Sequence, residues 1–414
     1  MALFEEVLEQ QEKVVGPNNR ELIKPLLGLA VAAEKSRHHA EAIAPLRRAC
    51  TILERTLGAE HEKVTEVLEH LARCHEELGQ HEDSLSYYRR VLTIAEKRSG
   101  NGGANLGIAA ALCNLANAHI GMGRYNMVPQ LYERAVRLME EEVGADKPEV
   151  AAILSNLADF RKEEGSYDEA LSLLERVVII HERVFGRENP EVAAGVERMA
   201  SLHEEQGDFA SALPLYERAL QLLEAAGAGD TVLGRLWASI GELRWRCTGE
   251  AAPAETTSLL ERAISALDKG HPRLPGAQRA LAGALAQTAD ALWEQPSRAG
   301  ELVEAYERVV RLLSEAGAGV EAELGLAAAY SALAEACQAA SMPERALVAC
   351  ERALLELDRD GGGAALPALK AKALYRLAAA YDELGRTAEA QEAYELAIDL
   401  VDVDAREAEE EAAE

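Results

Sequence analysis

Aromatic residues are scarce in this chain. Of 414 residues only three are Trp, eleven Tyr and four Phe, and β-branched runs are few, so extended sheets, which favour such side chains, are not expected. No window approaches 18 consecutive apolar residues, so neither a membrane span nor membrane insertion is predicted. Basic residues are in deficit: 43 Lys and Arg stand against 71 Asp and Glu, a formal net charge of −28. Nucleic-acid binding needs clustered cations to neutralise phosphates and is disfavoured. A protein or peptide partner of basic or mixed charge fits better. The six cysteines, Cys50, Cys74, Cys113, Cys247, Cys337 and Cys350, include no CxxC pair, so neither a disulfide framework nor a zinc ribbon is signalled. A reducing, cytoplasmic setting follows, with attachment to a cytoskeletal or ciliary structure left open. The opening MALFEEVLEQQEKVVG is acidic and amphipathic, unlike a signal or transit peptide.

What the chain has is alanine, leucine and repetition. LYERA occurs at 131–135 and again at 215–219, with LLERV halfway between at 174–178. Followed along the chain, the Arg of this string falls at Arg48, Arg90, Arg134, Arg176, Arg218, Arg262, Arg308 and Arg352, then at Leu396, at intervals of 42 to 46 residues. Eleven residues before each comes an expected turn: Arg37, Gly79, Gly123, Gly165, Gly207, Ala251, Ser297, Ser341 and Gly385. Glycine suits that place because the left-handed cap that ends a helix is strained by a Cβ. Small residues such as Ala72, Ala116 and Ala158 before the turn, and Ala170 and Ala212 after it, let paired helices approach. Tyr88, Tyr132, Tyr216, Tyr306 and Tyr394 then fill the seam. Each unit is predicted to be a helical hairpin, and polar loops such as GADKPEV (144–150) and GRENPEV (186–192) supply the Gly stop and Pro start between units.

This pattern of Leu-Ala, Gly, Ala, Tyr and Ala is the tetratricopeptide signature at a longer period than usual. With LYERA in the second helix, the 42-residue register resembles the tetratricopeptide domain of kinesin light chains, well over residues 1–227 and less closely over 318–402. The resemblance implies an all-α superhelical solenoid of about nine helical hairpins. The expected layout is a half-repeat capping helix at 1–15, regular units at 16–227, irregular units at 228–317, two further units at 318–402 and an acidic disordered tail at 403–414. In 228–317 the turn glycines are missing, Pro253, Pro272, Pro275 and Pro296 intrude, and Trp237 and Trp245 sit near the start with Trp293 near the end. Large side chains there are expected to fill gaps between helices that no longer approach closely, or else to mark a bend or docking site where the superhelix changes curvature.

No convergent catalytic site is legible, and no enzyme activity or cofactor is expected. GMGRYN (121–126) is only G-x-G and falls on a hairpin turn, not between a strand and a helix. His70 and Cys74 share a helical face at i, i+4, as metal ligands would, but buried or satisfied structural residues are the simpler reading and no metal is expected. The supported chemistry is recognition, because stacked hairpins align equivalent positions of their first helices in rows along one groove. The rows flanking the Leu-Ala pair hold His70, Asn114, Asn156, Arg198, Ala332 and Arg376 on one side, and Arg73, Asn117, Asp159, Ser201, Glu335 and Ala379 on the other. Glu76, Glu77, Lys162, Glu163, Glu204 and Glu205 are expected to rim the groove and to favour a basic peptide.

The kinesin light chain resemblance implies that Asn114 and Asn156 hold an extended peptide backbone, since an amide both donates and accepts. The candidate peptide-binding set is Arg73, Asn114, Asn117, Asn156, Asp159, Lys162 and Arg198. Asn117, Asn156 and Arg198 also look like part of the carboxylate clamp of chaperone-binding tetratricopeptide domains. Cys113 and Ala194 stand where its lysines would be, which counts against that role. The expected function is a non-catalytic protein–protein interaction scaffold or adaptor, the alternative a structural subunit of a multi-subunit assembly.

Overall fold

The structure, a computed structural model, describes residues 2–99, 105–248, 254–293, 295–317, 320–359 and 366–413. Among these residues it contains nineteen α-helices, three short 3-10 turns and no strand. They divide into two compact units, Met1–Leu202 and His203–Glu414. In the first, α1 (Ala2–Val15) precedes four hairpins. These pair α2 (Ile23–Lys35) with α3 (His39–Leu57), α4 (Glu62–Glu77) with α5 (His81–Ser99), α6 (Asn105–Gly121) with α7 (Val128–Val143), and α8 (Pro148–Glu163) with α9 (Tyr167–Phe185). Helix α10 (Pro190–Glu205) carries the chain from the first unit into the second. The second unit continues with α11 (Phe209–Ala225). Its four hairpins pair α12 (Asp230–Thr248) with α13 (Ala254–Ala266), α14 (Leu274–Asp290) with α15 (Ala299–Ala316), α16 (Val320–Ala339) with α17 (Pro343–Arg359), and α18 (Leu366–Glu383) with α19 (Thr387–Ala413). Second helices pack onto the next first helix, α3 on α4, α5 on α6 and α7 on α8, and likewise α13 on α14, α15 on α16 and α17 on α18. The result is an all-α superhelical repeat fold, each hairpin covering the apolar flank of its neighbour. Among the described residues no helix is long and apolar enough to cross a membrane.

The hairpin turns after α4, α6, α8, α16 and α18 share one backbone device. After α4, Gly79 has φ +70°, its N–H bonds Glu76 C=O at 2.9 Å, and the next residue, Gln80, bonds back to His75 C=O at 2.8 Å. That pair of bonds satisfies carbonyls the helix would leave open. The same back-bond closes α6 (Arg124 to His119), α8 (Ser166 to Arg161), α16 (Met342 to Cys337) and α18 (Arg386 to Tyr381). Arg37 and Ser341, where spacing alone predicts a turn, adopt the same left-handed backbone without glycine, at φ 59° and 56°. The expected turn at Ala251 lies outside the described residues. At Ser297 the expectation fails in register: α14 already ends at Asp290, and Ser297 sits in a 3-10 turn, Pro296–Arg298, leading into α15.

The small residues do what their size allows. Ala72, Ala116, Ala158, Ala170, Ala212, Ala334 and Ala378 are buried, as are Tyr88, Tyr132, Tyr216 and Tyr306 beside them. Leu71, Leu115 and Leu157 are buried next to these alanines, and each such leucine contributes about 1.5–3 kcal/mol of apolar burial.

The arginine of LYERA proves to be one half of a pair. On each second helix of the first unit it faces a glutamate one hairpin back: Arg48 pairs with Glu12, Arg90 with Glu54, Arg134 with Glu96 and Arg176 with Glu140. Each glutamate lies six residues after the preceding register position, so a simple R-x5-E spacing encodes a ladder of inter-hairpin rungs. Helix α1 supplies the first glutamate and so stands where a second helix would. In the second unit the ladder loosens. Arg262 and Glu224 are 4.0 Å apart, and Arg308, set 46 residues beyond Arg262, pairs instead with Glu261 at 2.6 Å.

Two expectations for the second unit are revised. Residues 403–413, expected as a disordered tail, continue α19 to Ala413; their Ala- and Glu-rich composition is strongly helix-forming. In 228–317 the helices press against one another, within a hairpin and between first helices, instead of standing apart. A Cβ at Gly241 would stand 2.4 Å from Leu260 Cδ2, and one at Gly283 2.4 Å from Trp245 Cζ2. Helix α12 also packs directly on α14. Trp237 is buried, with the Arg262 guanidinium 3.9 Å over its ring.

Candidate binding face

The buried Leu-Ala pair of each first helix turns its flanking residues toward the edge of the buried stripe, and the structure shows what each candidate does there. On α4, Arg73 is exposed, with Nη2 3.0 Å from His70 Nδ1. The same ring nitrogen lies 2.8 Å from Glu34 Oε1 on α2. Cys74 also turns to Glu34, its thiol donating at 3.5 Å. Burial, reinforced by that carboxylate, pushes the thiol up to about 12, which makes it a poor metal ligand or nucleophile near neutrality. His70 and Cys74 are thus both engaged by one glutamate. Nearby, His75 is buried, with Nδ1 2.6 Å from Gln80 Oε1 and its ring against Tyr87. Burial and then Arg89 and Arg124 hold His119 below the ordinary imidazole range.

Asn114 on α6 is half-buried and Asn156 on α8 is exposed. Among the described residues neither amide has a side-chain hydrogen-bond partner. Asn117, one turn along α6, is different: its Oδ1 accepts the hydroxyl of Tyr132 from α7, so it ties the two helices of its own hairpin together.

Asp159, Lys162 and Arg198 come together. With Ala158, Leu174, Ser201 and Leu202 they line a recess of about 130 Å³ between α8, α9 and α10. Arg198 donates to Asp159 and, at 2.9 Å, to the carbonyl of Ser155. This arrangement recurs in the second unit. Arg376 on α18 donates to Glu335 on α16, to Ser331 Oγ at 2.6 Å and to the Ser331 carbonyl at 2.7 Å. Both arginines stand just before a Leu-Ala or Met-Ala pair. Both reach the acid and the carbonyl flanking that pair one hairpin earlier, forming charge-assisted bonds that brace one first helix against the last. The acid placed immediately after Leu-Ala is the sequence signal for this brace.

The acidic rim is thinner than expected. Glu76 accepts the hydroxyl of Tyr88 at 3.3 Å, and burial raises its carboxyl above the ordinary range. Glu204 is held by Arg273 and Tyr216. Glu77 and Glu163 remain exposed.

Tetratricopeptide repeat models match residues 26–62, 67–101, 108–149, 149–225 and 371–400, together just over half of the chain. The chain belongs to the tetratricopeptide repeat family. Among solved structures, this tetratricopeptide repeat protein is similar to the putative kinesin light chain repeats of Podosopora anserina, at 22% identity over 50% of this chain and 96% of that one, TM-score 0.44. It is also similar to BtubC (BKLC) from P. vanneervenii, at 18% identity over 62% of this chain and 91% of that one, TM-score 0.44. A third likeness is the C-terminal part of a tetratricopeptide repeat-containing protein from Cytophaga hutchinsonii, at 13% identity over 72% and 98%, TM-score 0.48. No curated protein matches the sequence. The repeat type, with its long period, resembles that of kinesin light chains, and such repeats form a protein–protein interaction scaffold.

Proposed function

We propose that this chain is a non-catalytic scaffold that captures an extended segment of a partner protein along the first-helix face of its first unit. Asn114 and Asn156 are the residues that read the partner's backbone. The observation that carries this reading is a contrast within one row. Its charged members are engaged inside the chain, Arg198 by Asp159 and Ser155 and Arg376 by Glu335 and Ser331, while among the described residues the two amides are not. An unengaged amide offers two donors and an acceptor to a peptide bond whatever side chain that peptide bears. Arg73, Asp159, Lys162 and Arg198 flank the track, and Glu77 and Glu163 give it a mild preference for a basic or mixed-charge segment.

The test starts from peptides selected from a random display library on the native chain. Their affinity for an Asn114→Leu/Asn156→Leu variant is then measured by fluorescence anisotropy, with helicity checked by circular dichroism. A loss of about tenfold or more, two lost backbone hydrogen bonds at about 0.5–1.5 kcal/mol each, supports the reading. Unchanged affinity at unchanged helicity overturns it. The alternative of an assembly subunit draws on the exposed Val348, Leu355, Leu396, Ile398 and Val401 of α17 and α19. It predicts that charged substitutions there, and not at the asparagines, abolish capture of the partner.

A further inference from the structure

Within the second unit one cross-link among the described residues reaches further back than the rungs and braces. The rungs and braces described above join residues roughly one period apart. Arg273, at the entrance to α14, instead reaches back 69 residues to Glu204 at the end of α10. The pair is bidentate, Nη1 to Oε1 at 2.7 Å and Nη2 to Oε2 at 2.9 Å. Tyr216 on α11 donates its hydroxyl to the same Oε2 at 2.7 Å. Beside this clasp lies Glu242 on α12, only 9% exposed, with Oε1 sealed from solvent and without a hydrogen-bond partner. Gly276 on α14 makes room for it, since a Cβ there would stand 2.5 Å from that oxygen. One guanidinium thus stands near one buried and one partly buried carboxylate, Glu242 and Glu204, and its carboxylate bonds go to Glu204.

We propose that the Arg273–Glu204 clasp is a releasable latch whose grip is set by the charge on Glu242. Neutral Glu242 packs against Gly276 and leaves Arg273 to Glu204. Ionised Glu242 is a buried charge with an unpaired oxygen, a costly state, and it competes for the guanidinium and loosens α14 from the end of α10. The other groups facing it leave that competition open. Arg246 lies on its own helix, Arg279 on α14 and the Tyr216 hydroxyl on α11 is committed to Glu204. From α13, Arg262 is turned to Trp237 and Glu224.

The two carboxyls are displaced in opposite directions, as expected where one partner serves two acids. Burial, tempered by Arg273, raises Glu242. For Glu204, burial works upward but is outweighed by the bonds from Arg273 and Tyr216, which hold it low. A carboxyl raised in the latched form keeps a proton that the open form releases. The latch therefore weakens as pH climbs from the ordinary carboxylate pKa of 4.5 through Glu242's raised value, and weakens no further above it. Glu204 contributes in the opposite sense, and its share is lost as pH falls through its lowered value.

All three tryptophans, Trp237, Trp245 and Trp293, lie on α12 or just beyond α14, so intrinsic emission of the full chain reports this region. Titrated from below the ordinary carboxylate pKa to neutrality, the native chain should show an emission transition with its midpoint above 4.5. Glu242→Gln should abolish that transition and keep the low-pH spectrum throughout, whereas Arg273→Gln should show the high-pH spectrum at every pH. A Glu242→Gln chain that titrates like the parent, or a native chain that does not titrate, overturns the proposal. Hydrogen exchange in the first turn of α14, measured on the native chain and corrected for intrinsic pH dependence, guards against a misfolded variant. Protection must fall as pH rises, and constant protection overturns the latch equally.

Discussion

The hairpins from α4 to α9 and those from α12 to α15 close the same kind of seam in different ways. In the first region the small residue at the seam is alanine, and neighbouring second helices are joined by regular Arg–Glu rungs. In the second, Gly234, Gly241, Gly276 and Gly283 let side chains press onto bare helix backbone, the rungs change register, and a clasp skips a hairpin. In the first unit Gly195 is pressed in this manner, against Val178, while Gly107 and Gly121 on α6 are not. A regular period lets a solenoid rely on many weak, repeated links. Where the period stretches, the same chain compensates with closer backbone packing and one strong, partly buried link.

The contrast is broken most directly at Gly283. Gly283→Val would force a side chain into Trp245 and should cost about 1–3 kcal/mol by overpacking. Gly107→Ala on α6, where a Cβ meets nothing within 4 Å, should gain up to about 1 kcal/mol. Urea denaturation followed by circular dichroism measures both, and equal effects would erase the distinction drawn between the regions. A smaller effect is expected at the two turns that lack glycine. Arg37→Gly and Ser341→Gly should each raise stability by about 1 kcal/mol by relieving left-handed strain, seen as a higher Tm; a lowered Tm would mean those side chains hold the turn. The smallest effect is at a rung. Arg90→Ala should cost about 0.2–1 kcal/mol at low salt, because both partners are partly solvated. That difference should vanish near about 1 M salt, where charges are screened within about 3 Å, while the Arg273 clasp should respond far less. A rung that resists salt would place it with the clasp.

Sequence periodicity carried the hairpins, because helix ends and small seam residues are local properties. It placed the turns at Arg37 and Ser341 even without glycine. The arginine of LYERA stands out in the sequence, but its partner does not share its motif, although Glu54, Glu96 and Glu140 each lie six residues past the register position. The candidate site was legible only as a row. That Asn117 belongs to Tyr132, or Arg198 to Asp159, depends on which rotamer reaches across a seam, and spacing does not contain that information. Arg273 was harder still, since a repeat pattern leads one to look for contacts one period away, and Glu204 lies 69 residues back.

The ladder has a mechanical meaning. Each rung crosses a single boundary, so a pull along the first unit meets a series of similar links that give way one after another, and the stack yields by small steps like a soft spring. In the second unit the clasp shares load across two boundaries at once, making it the stiffer length until Arg273 lets go.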